Sequence, residues 1–276
     1  MSPFEISEPR SLAEAFPLLD DEDARPLSGG TALMLMMKAG VLRPKRLVSL
    51  RRLGLGNIEA HGELRIGAMA TLGALERDAA VKKAWPVITR TLRTLSNVRV
   101  RNVATVGGAL GHADPHMDLP PLLAALGARA TITGPAGERT VPVEALYAGY
   151  LESTLKRGEL ITQIAVPSMN GMRAVYMKCT SRSADDWPAV GIAVVLDGEE
   201  ARIVLGAATD KPTRLVAAEK MLKGRSSNPR ALEEAAQAAA EEVQIESDLH
   251  GSAAYKKQLI RVYLRRAVHE ARNPVH

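Results

Sequence analysis

The sequence predicts an α+β protein whose two units meet near residue 170, and three observations carry that reading. Short strand-like runs alternate with amphipathic helical stretches over the first part of the chain. Composition shifts at Pro167, after which Ser168-Met-Asn-Gly-Met172 reads as a linker. Beyond it lie two apolar runs, Val190–Leu196 and Arg202–Leu205, joined across the hairpin signal Asp197-Gly198, and then helix to the end.

Taken in order, Ser11-Leu-Ala-Glu14 has the capping-box pattern that starts a helix, here running to about Leu19. Arg25–Leu27 is a short strand leading into Ser28-Gly-Gly-Thr31, and Ala32–Lys38 is a helix stopped by Gly40. Lys45–Leu50 and Glu63–Gly67 alternate as strands. Thr71 to about Lys83 reads as one helix, and a second starts with Pro86 at its first position and runs to about Asn97. Val98–Leu119 reads as a glycine-bearing loop, followed by a short helix over Pro120–Leu126. Ala128–Thr133 and Leu160–Val166 read as strands separated by a turn at Gly134-Pro135. Asn228-Pro229 caps an alanine-rich helix to about Ile245, and Ser252 starts a last helix with Tyr255, Leu259 and Val262 on one face.

Bulk properties exclude several functions. The chain has 276 residues, 46% hydrophobic and 24% charged, as expected for a globular protein with a buried core. No apolar run approaches the roughly 20 residues that a membrane helix needs, and the first residues lack a secretory pattern, so a cytoplasmic protein is expected. A single cysteine, Cys179, excludes a disulfide framework and any multi-cysteine metal or iron–sulfur site within the chain. The net charge is +5, yet basic residues are mixed with acidic ones except after Ser252, and aromatics are only 3%. That distribution disfavours a nucleic-acid surface.

Chemistry concentrates at two glycine pairs. Ser28-Gly29-Gly30-Thr31-Ala32 lies between a strand and a helix, where glycines let backbone N–H groups converge on an anion. Thr105-Val106-Gly107-Gly108-Ala109 offers the same ingredients. Either alone also fits a plain turn, whereas two such loops in one unit suit a ligand with two phosphates. Neither matches the spacing of a nucleotide-hydrolysing P-loop or of a dinucleotide-binding fingerprint.

The most specific stretch is Arg101-Asn-Val-Ala-Thr-Val-Gly-Gly-Ala-Leu-Gly-His-Ala-Asp114-Pro-His-Met-Asp118-Leu-Pro120. It resembles the second flavin loop and the following Ala-Asp-Pro segment of the FAD-binding subunits of the xanthine dehydrogenase / carbon monoxide dehydrogenase family. Ser28–Ala32 resembles that family's first flavin loop. Gly158-Glu-Leu-Ile-Thr, Lys178-Cys-Thr-Ser-Arg182 with Asp186-Trp-Pro188, and Gly251-Ser-Ala-Ala-Tyr resemble later segments in the same order.

The resemblance implies a vanillyl-alcohol-oxidase-like (PCMH) FAD domain over residues 1–170 and a smaller α+β domain, of the carbon monoxide dehydrogenase flavoprotein type, over 171–276. Position by position, Ser28, Gly29, Gly30, Thr31, Ala32, Thr105, Val106, Gly107, Gly108 and Ala109 would hold the pyrophosphate and its surroundings. Asp118 would contact the cofactor, Ile161 would make an apolar contact, and Lys178 would stand beside the flavin as a cation. Ala32 and Ala109 depart from usually polar positions, the second at a cost of about 1 kcal/mol of hydrogen bonding. The cysteine-rich insertion of the 4-hydroxybenzoyl-CoA reductase branch is absent. The implied function is electron transfer: FAD, held noncovalently, accepts electrons from [2Fe-2S] clusters on a small partner and passes them to an external acceptor. A large partner would carry the molybdenum cofactor, the whole being a dimer of heterotrimers with no catalytic residue on this chain. The alternatives are a self-contained FAD-dependent oxidase or dehydrogenase of the same fold, and a nucleotide-binding module without catalysis.

Three features have plainer readings. His112 and His116, near Asp114 and Asp118, lack a third well-placed metal ligand on a regular element, and a role at the flavin edge or in support of it fits them better than a metal site. Cys179 fits a small buried residue. Met34, Met36 and Met37 fit core packing.

Overall fold

A computed structural model describes residues 2–273. The chain opens with β1 (Glu5–Ser7), α1 (Leu12–Leu19), β2 (Ala24–Leu27), α2 (Leu33–Lys38) and β3 (Arg46–Ser49). The three strands form a parallel sheet in the order β1-β3-β2. The Ser11 hydroxyl accepts the Glu14 amide at 3.2 Å, completing one half of the capping box. The Glu14 carboxylate reaches past it to the Arg10 amide at 2.8 Å.

Next come β4 (Ile58–His61), β5 (Glu63–Gly67), α3 (Leu72–Arg77), α4 (Ala79–Ala84), α5 (Pro86–Thr94), α6 (Val98–Arg101), α7 (Val106–Gly111) and α8 (Leu119–Ala125). β6 (Arg129–Gly134), β7 (Gly137–Pro142), β8 (Tyr147–Gly149), β9 (Glu152–Ser153) and β10 (Leu160–Val166) complete this part. Five of the strands form a sheet in the order β4-β5-β10-β6-β7, antiparallel throughout. Helices α3 to α8 cover it, with Leu72, Leu75, Ile88, Leu92, Leu110, Leu119 and Leu122 packed onto Leu64, Ile66, Ile132 and Ile164.

The last part holds β11 (Arg173–Cys179), β12 (Val190–Asp197), β13 (Glu200–Gly206), β14 (Thr213–Arg214), α9 (Val216–Leu222), α10 (Pro229–Glu241) and α11 (Ala253–Arg272). Its sheet is a meander, with β12 buried on both faces. Val190, Ile192, Val194 and Leu196 face the helices α9 to α11. Ala193 and Val195 join the core of the preceding part, together with Ala174 and Val204. The two apolar cores therefore meet across one sheet. Trp85, 3% exposed, closes the seam by donating its indole N–H to the Pro167 carbonyl at 2.8 Å.

Several sequence expectations need correction. The expected loop over Val98–Leu119 contains two helices. Asn97 caps α6 by accepting the Arg99 and Val100 amides, and Thr105 caps α7 by accepting that of Gly108. The expected helix over Thr71–Lys83 is two, because the Asp78 side chain accepts the Val81 amide and starts a new helix there. α5 ends at Thr94, with Ser96 beyond it at a positive φ of 56°. The Gly134-Pro135 turn leads into β7, a strand absent from the sequence reading, and β10 pairs with β6 from the other side. α10 stops at Glu241 rather than near Ile245. On α11 the buried stripe is Lys256, Leu259, Ile260, Leu264, Ala267, Val268 and Ala271. Tyr255 is 51% exposed. The stripe is rotated because Lys256 takes a core position, its charge met by Asp248 at 2.6 Å.

Candidate functional site

The two glycine loops meet. A Cβ on Gly29 would be driven into the backbone of Val103 and Ala104, and one on Gly108 would lie 2.6 Å from the Ser28 hydroxyl and 2.8 Å from that of Thr105. On the far side of α7, a Cβ on Gly107 would lie 2.5 Å from that of Ala68. Glycine is thus required at three of the four positions for close approach of chain to chain. Only Gly30 needs its freedom of φ, at +71°.

The second loop is anchored to the large sheet. The Leu72 amide donates to Ala104 at 2.9 Å, Val106 to Ala70 at 3.0 Å and Gly107 to Ala68 at 2.8 Å, while Ala68 donates to Thr162 of β10 at 3.0 Å. With the Gly108 amide on Thr105 Oγ1 at 3.0 Å, the first-turn amides of α7 are engaged within the protein. The first loop is different. Among the described residues, the amides of Gly29, Gly30, Thr31, Ala32 and Leu33 have no acceptor in the chain. The run Leu27–Met34 carries no charged side chain that would compete for them. Five free amides at a helix start are the chemistry that binds a phosphate. Thr105 to Ala109 form the floor on which that loop rests.

Ile161 lies at the β10 bulge, 6% exposed, with its Cδ1 3.9 Å from the position of a Cβ on Gly111. It therefore packs against the far end of α7.

Asp118 and Lys178 are brought together. Lys178 Nζ, on β11, donates to Asp118 Oδ2 at 2.8 Å, to the Thr94 carbonyl at 2.9 Å and to the Asp186 carbonyl at 3.1 Å. All three ammonium protons are engaged. Tyr176 donates its hydroxyl to Asp118 Oδ1 at 2.7 Å. Burial pushes the Asp118 carboxyl upward, opposed by the Lys178 charge and by hydrogen bonds from Lys178 and Tyr176. Burial also pushes the Tyr176 phenol far up, reinforced by the Asp118 charge. Sequence reading missed Tyr176, although it lies two residues before Lys178 and so on the same strand face.

Of the four non-glycine residues with positive φ among the described residues, all but Leu151 lie around this pair. Ser96, Ala113 and Ala207 adopt φ of 56°, 56° and 66°, each two to five residues from a group just named or bonded to its loop. The Ala207 amide donates to Pro115 at 2.9 Å, pinning the Asp114–Asp118 segment to the end of β13. Non-glycine residues held in that region commonly mark functional sites. No cluster able to hold a metal ion occurs among the described residues, although Asp114 lies within 3.1 Å of His116. Burial lowers the His112 pKa, with Asp114 opposing it.

Comparison with known proteins gives the family. Residues 2–169 match the family described as the FAD binding domain in molybdopterin dehydrogenase. Residues 175–271 match the CO dehydrogenase flavoprotein C-terminal domain. The chain is 32% identical to the glyceraldehyde dehydrogenase medium chain of Sulfolobus acidocaldarius, covering 94% of this chain and 95% of that one. It is 34% identical to the carbon monoxide dehydrogenase medium chain of Afipia carboxidovorans, covering 98% and 96%. A solved carbon monoxide dehydrogenase from Hydrogenophaga pseudoflava superposes with a TM-score of 0.94 at 32% identity, covering 99% and 98%. Two contiguous domain matches and full-length relatives place the chain: it belongs to the FAD-binding medium-chain family of the xanthine dehydrogenase / carbon monoxide dehydrogenase type, and is an oxidoreductase subunit.

Proposed function

We propose that the chain holds FAD noncovalently and relays electrons within a molybdenum hydroxylase complex. The observation that carries this reading is the first glycine loop, whose amides have no acceptor in the chain and which rests against the second. Ser28 to Ala32 would bind the pyrophosphate through backbone N–H groups. Thr105 to Ala109 would set the height of that loop, with the Thr105 hydroxyl holding the start of α7. Asp118 and Ile161 would line the cofactor's flanks. Lys178 would act on the flavin through its charge, since its protons are engaged elsewhere. FAD, when bound, supplies one- and two-electron redox chemistry.

In this proposal residues 1–170 carry the flavin and 171–276 close against them. Electrons arrive from [2Fe-2S] clusters on a small subunit and leave to an external acceptor. The organic or gaseous substrate is oxidised at a molybdenum cofactor on a large subunit, in a cytoplasmic dimer of heterotrimers. Carbon monoxide and glyceraldehyde, for which two relatives are named, are the first substrates to try. Neither glycine loop contains His or Cys, so no covalent link to the flavin is expected. Acid precipitation of the purified chain should release the yellow cofactor into the supernatant. Flavin retained on the pellet would point to covalent attachment, with His112 the nearest candidate.

A further inference from the structure

A chain of ionisable groups joins the two parts beside the Asp118–Lys178 pair. His116 stands at its centre, in the segment between α7 and α8. Its Nδ1 lies 3.1 Å from Asp114 Oδ1, which also accepts the His116 amide at 2.9 Å. Its Nε2 lies 3.3 Å from Asp248 Oδ2, in the turn between α10 and α11. Asp248 Oδ2 also accepts from Lys256, whose side chain is 1% exposed. The turn is closed by the His250 amide on Asp248 Oδ1 at 2.8 Å and by the Asp248–Gly251 bridge. Trp187 and His250 pack on the imidazole at centroid distances of 5.4 and 5.1 Å. His112 completes the group, 3.9 Å from Asp114.

An imidazolium can donate from both ring nitrogens, while a neutral imidazole has a single N–H and a lone pair. Here both nitrogens face carboxylate oxygens. We infer that His116 is a proton-operated clasp, which in its protonated form holds the Asp248–Gly251 turn against the Asp114–Asp118 segment and releases it on losing a proton. Deprotonation leaves a lone pair against one carboxylate. The Asp248 contact is the one given up, because Asp114 is also fixed by the His116 amide.

The other partners do not replace the proton. Burial would raise the Asp248 carboxyl, but Lys256, the His250 amide and His116 hold it below the ordinary range, so it stays an anionic acceptor. Lys256 is directed at Asp248 rather than at His116. The clasp adjoins the loop whose Asp186 carbonyl receives Lys178. Release would loosen Trp187 and one wall of the candidate site.

The test is hydrogen exchange of the full chain over residues 246–252, corrected for the intrinsic effect of pH. Measurements at about pH 5.5 and about pH 8 bracket the interval in which imidazole changes charge. Protection should fall about tenfold at the higher pH, the scale of one charge-assisted hydrogen bond. His250→Gln should behave the same way, and His116→Gln should show no such pH dependence. A flat wild-type profile, a transition that persists in His116→Gln, or one that vanishes in His250→Gln would each overturn the inference. Flavin content, read from the absorption spectrum, is scored separately and does not decide the outcome.

Discussion

A Gly108→Val protein is expected to fold yet carry less than about a tenth of the wild-type flavin. The new side chain starts 2.6 Å from the Ser28 hydroxyl and 2.8 Å from that of Thr105. It cannot turn away, because a β-branched residue in a helix has few rotamers. α7 is tied to residues 68–72 by its backbone bonds, so the first loop must give way. That loop carries the free amides, and displacing it scatters donors that act only when convergent. The cost to stability should stay near 1–3 kcal/mol, the usual range for overpacking. Flavin content per folded chain and a denaturant midpoint measure the two effects separately. A folded variant with full flavin would show that the loops are structural turns.

The second large effect concerns Lys178→Met, which leaves Asp118 in a pocket where it is 4% exposed. Breaking one side of a buried ion pair costs about 3–5 kcal/mol. The loss should depend on pH with a definite sign. Without the cation, the upward push of burial on Asp118 is opposed only by Tyr176, so the folded form retains its proton to higher pH than the unfolded chain. A group raised in the fold contributes most below its unfolded pKa and progressively less as pH rises through the folded value. The variant should therefore be closest to wild type in mild acid and weakest above neutrality. Asp118→Leu combined with Lys178→Met should recover most of the loss, since no uncompensated charge remains. Unfolding curves at two pH values for both proteins test this, and a single-variant loss under about 1 kcal/mol would contradict it. In the flavin-loaded protein the same single substitution should lower the reduction potential.

The parts of the fold legible in sequence were those governed by local rules. Ser11, Asn228 and Ser252 cap helices as their side chains dictate, and the β12–β13 hairpin turns through Gly198-Glu199, one residue on from the expected Asp197-Gly198, because Asp197 still pairs with Glu200. The glycine-rich run after Val98 read as loop because glycine weakens helices on average. Two helices form there because Asn97 and Thr105 cap them, and α7 keeps its glycines because Ala68 and Ser28 lie too close to admit a side chain, a fact set by tertiary contact. Lys256 misled the reading of α11 for a related reason: a lysine is core-compatible only when a carboxylate such as Asp248 is brought to it, eight residues away along the chain but across a turn. At the site, the glycine pairs were visible and their contact with each other was not. The engagement of the α7 amides, which leaves the first loop as the free donor set, depends on the 68–72 segment that carries no motif at all.

The proposed role is electron relay, with no oxidation of the substrate on this chain itself. Anaerobic flavin absorption of the FAD-loaded chain tests it most directly, with carbon monoxide or glyceraldehyde supplied alone and then together with the large and small subunits. The flavin should stay oxidised with either compound alone and bleach when a competent substrate is supplied with both partners present. Bleaching by substrate with this chain alone, free of molybdenum and of partners, would contradict the account and make the chain a self-contained flavin dehydrogenase.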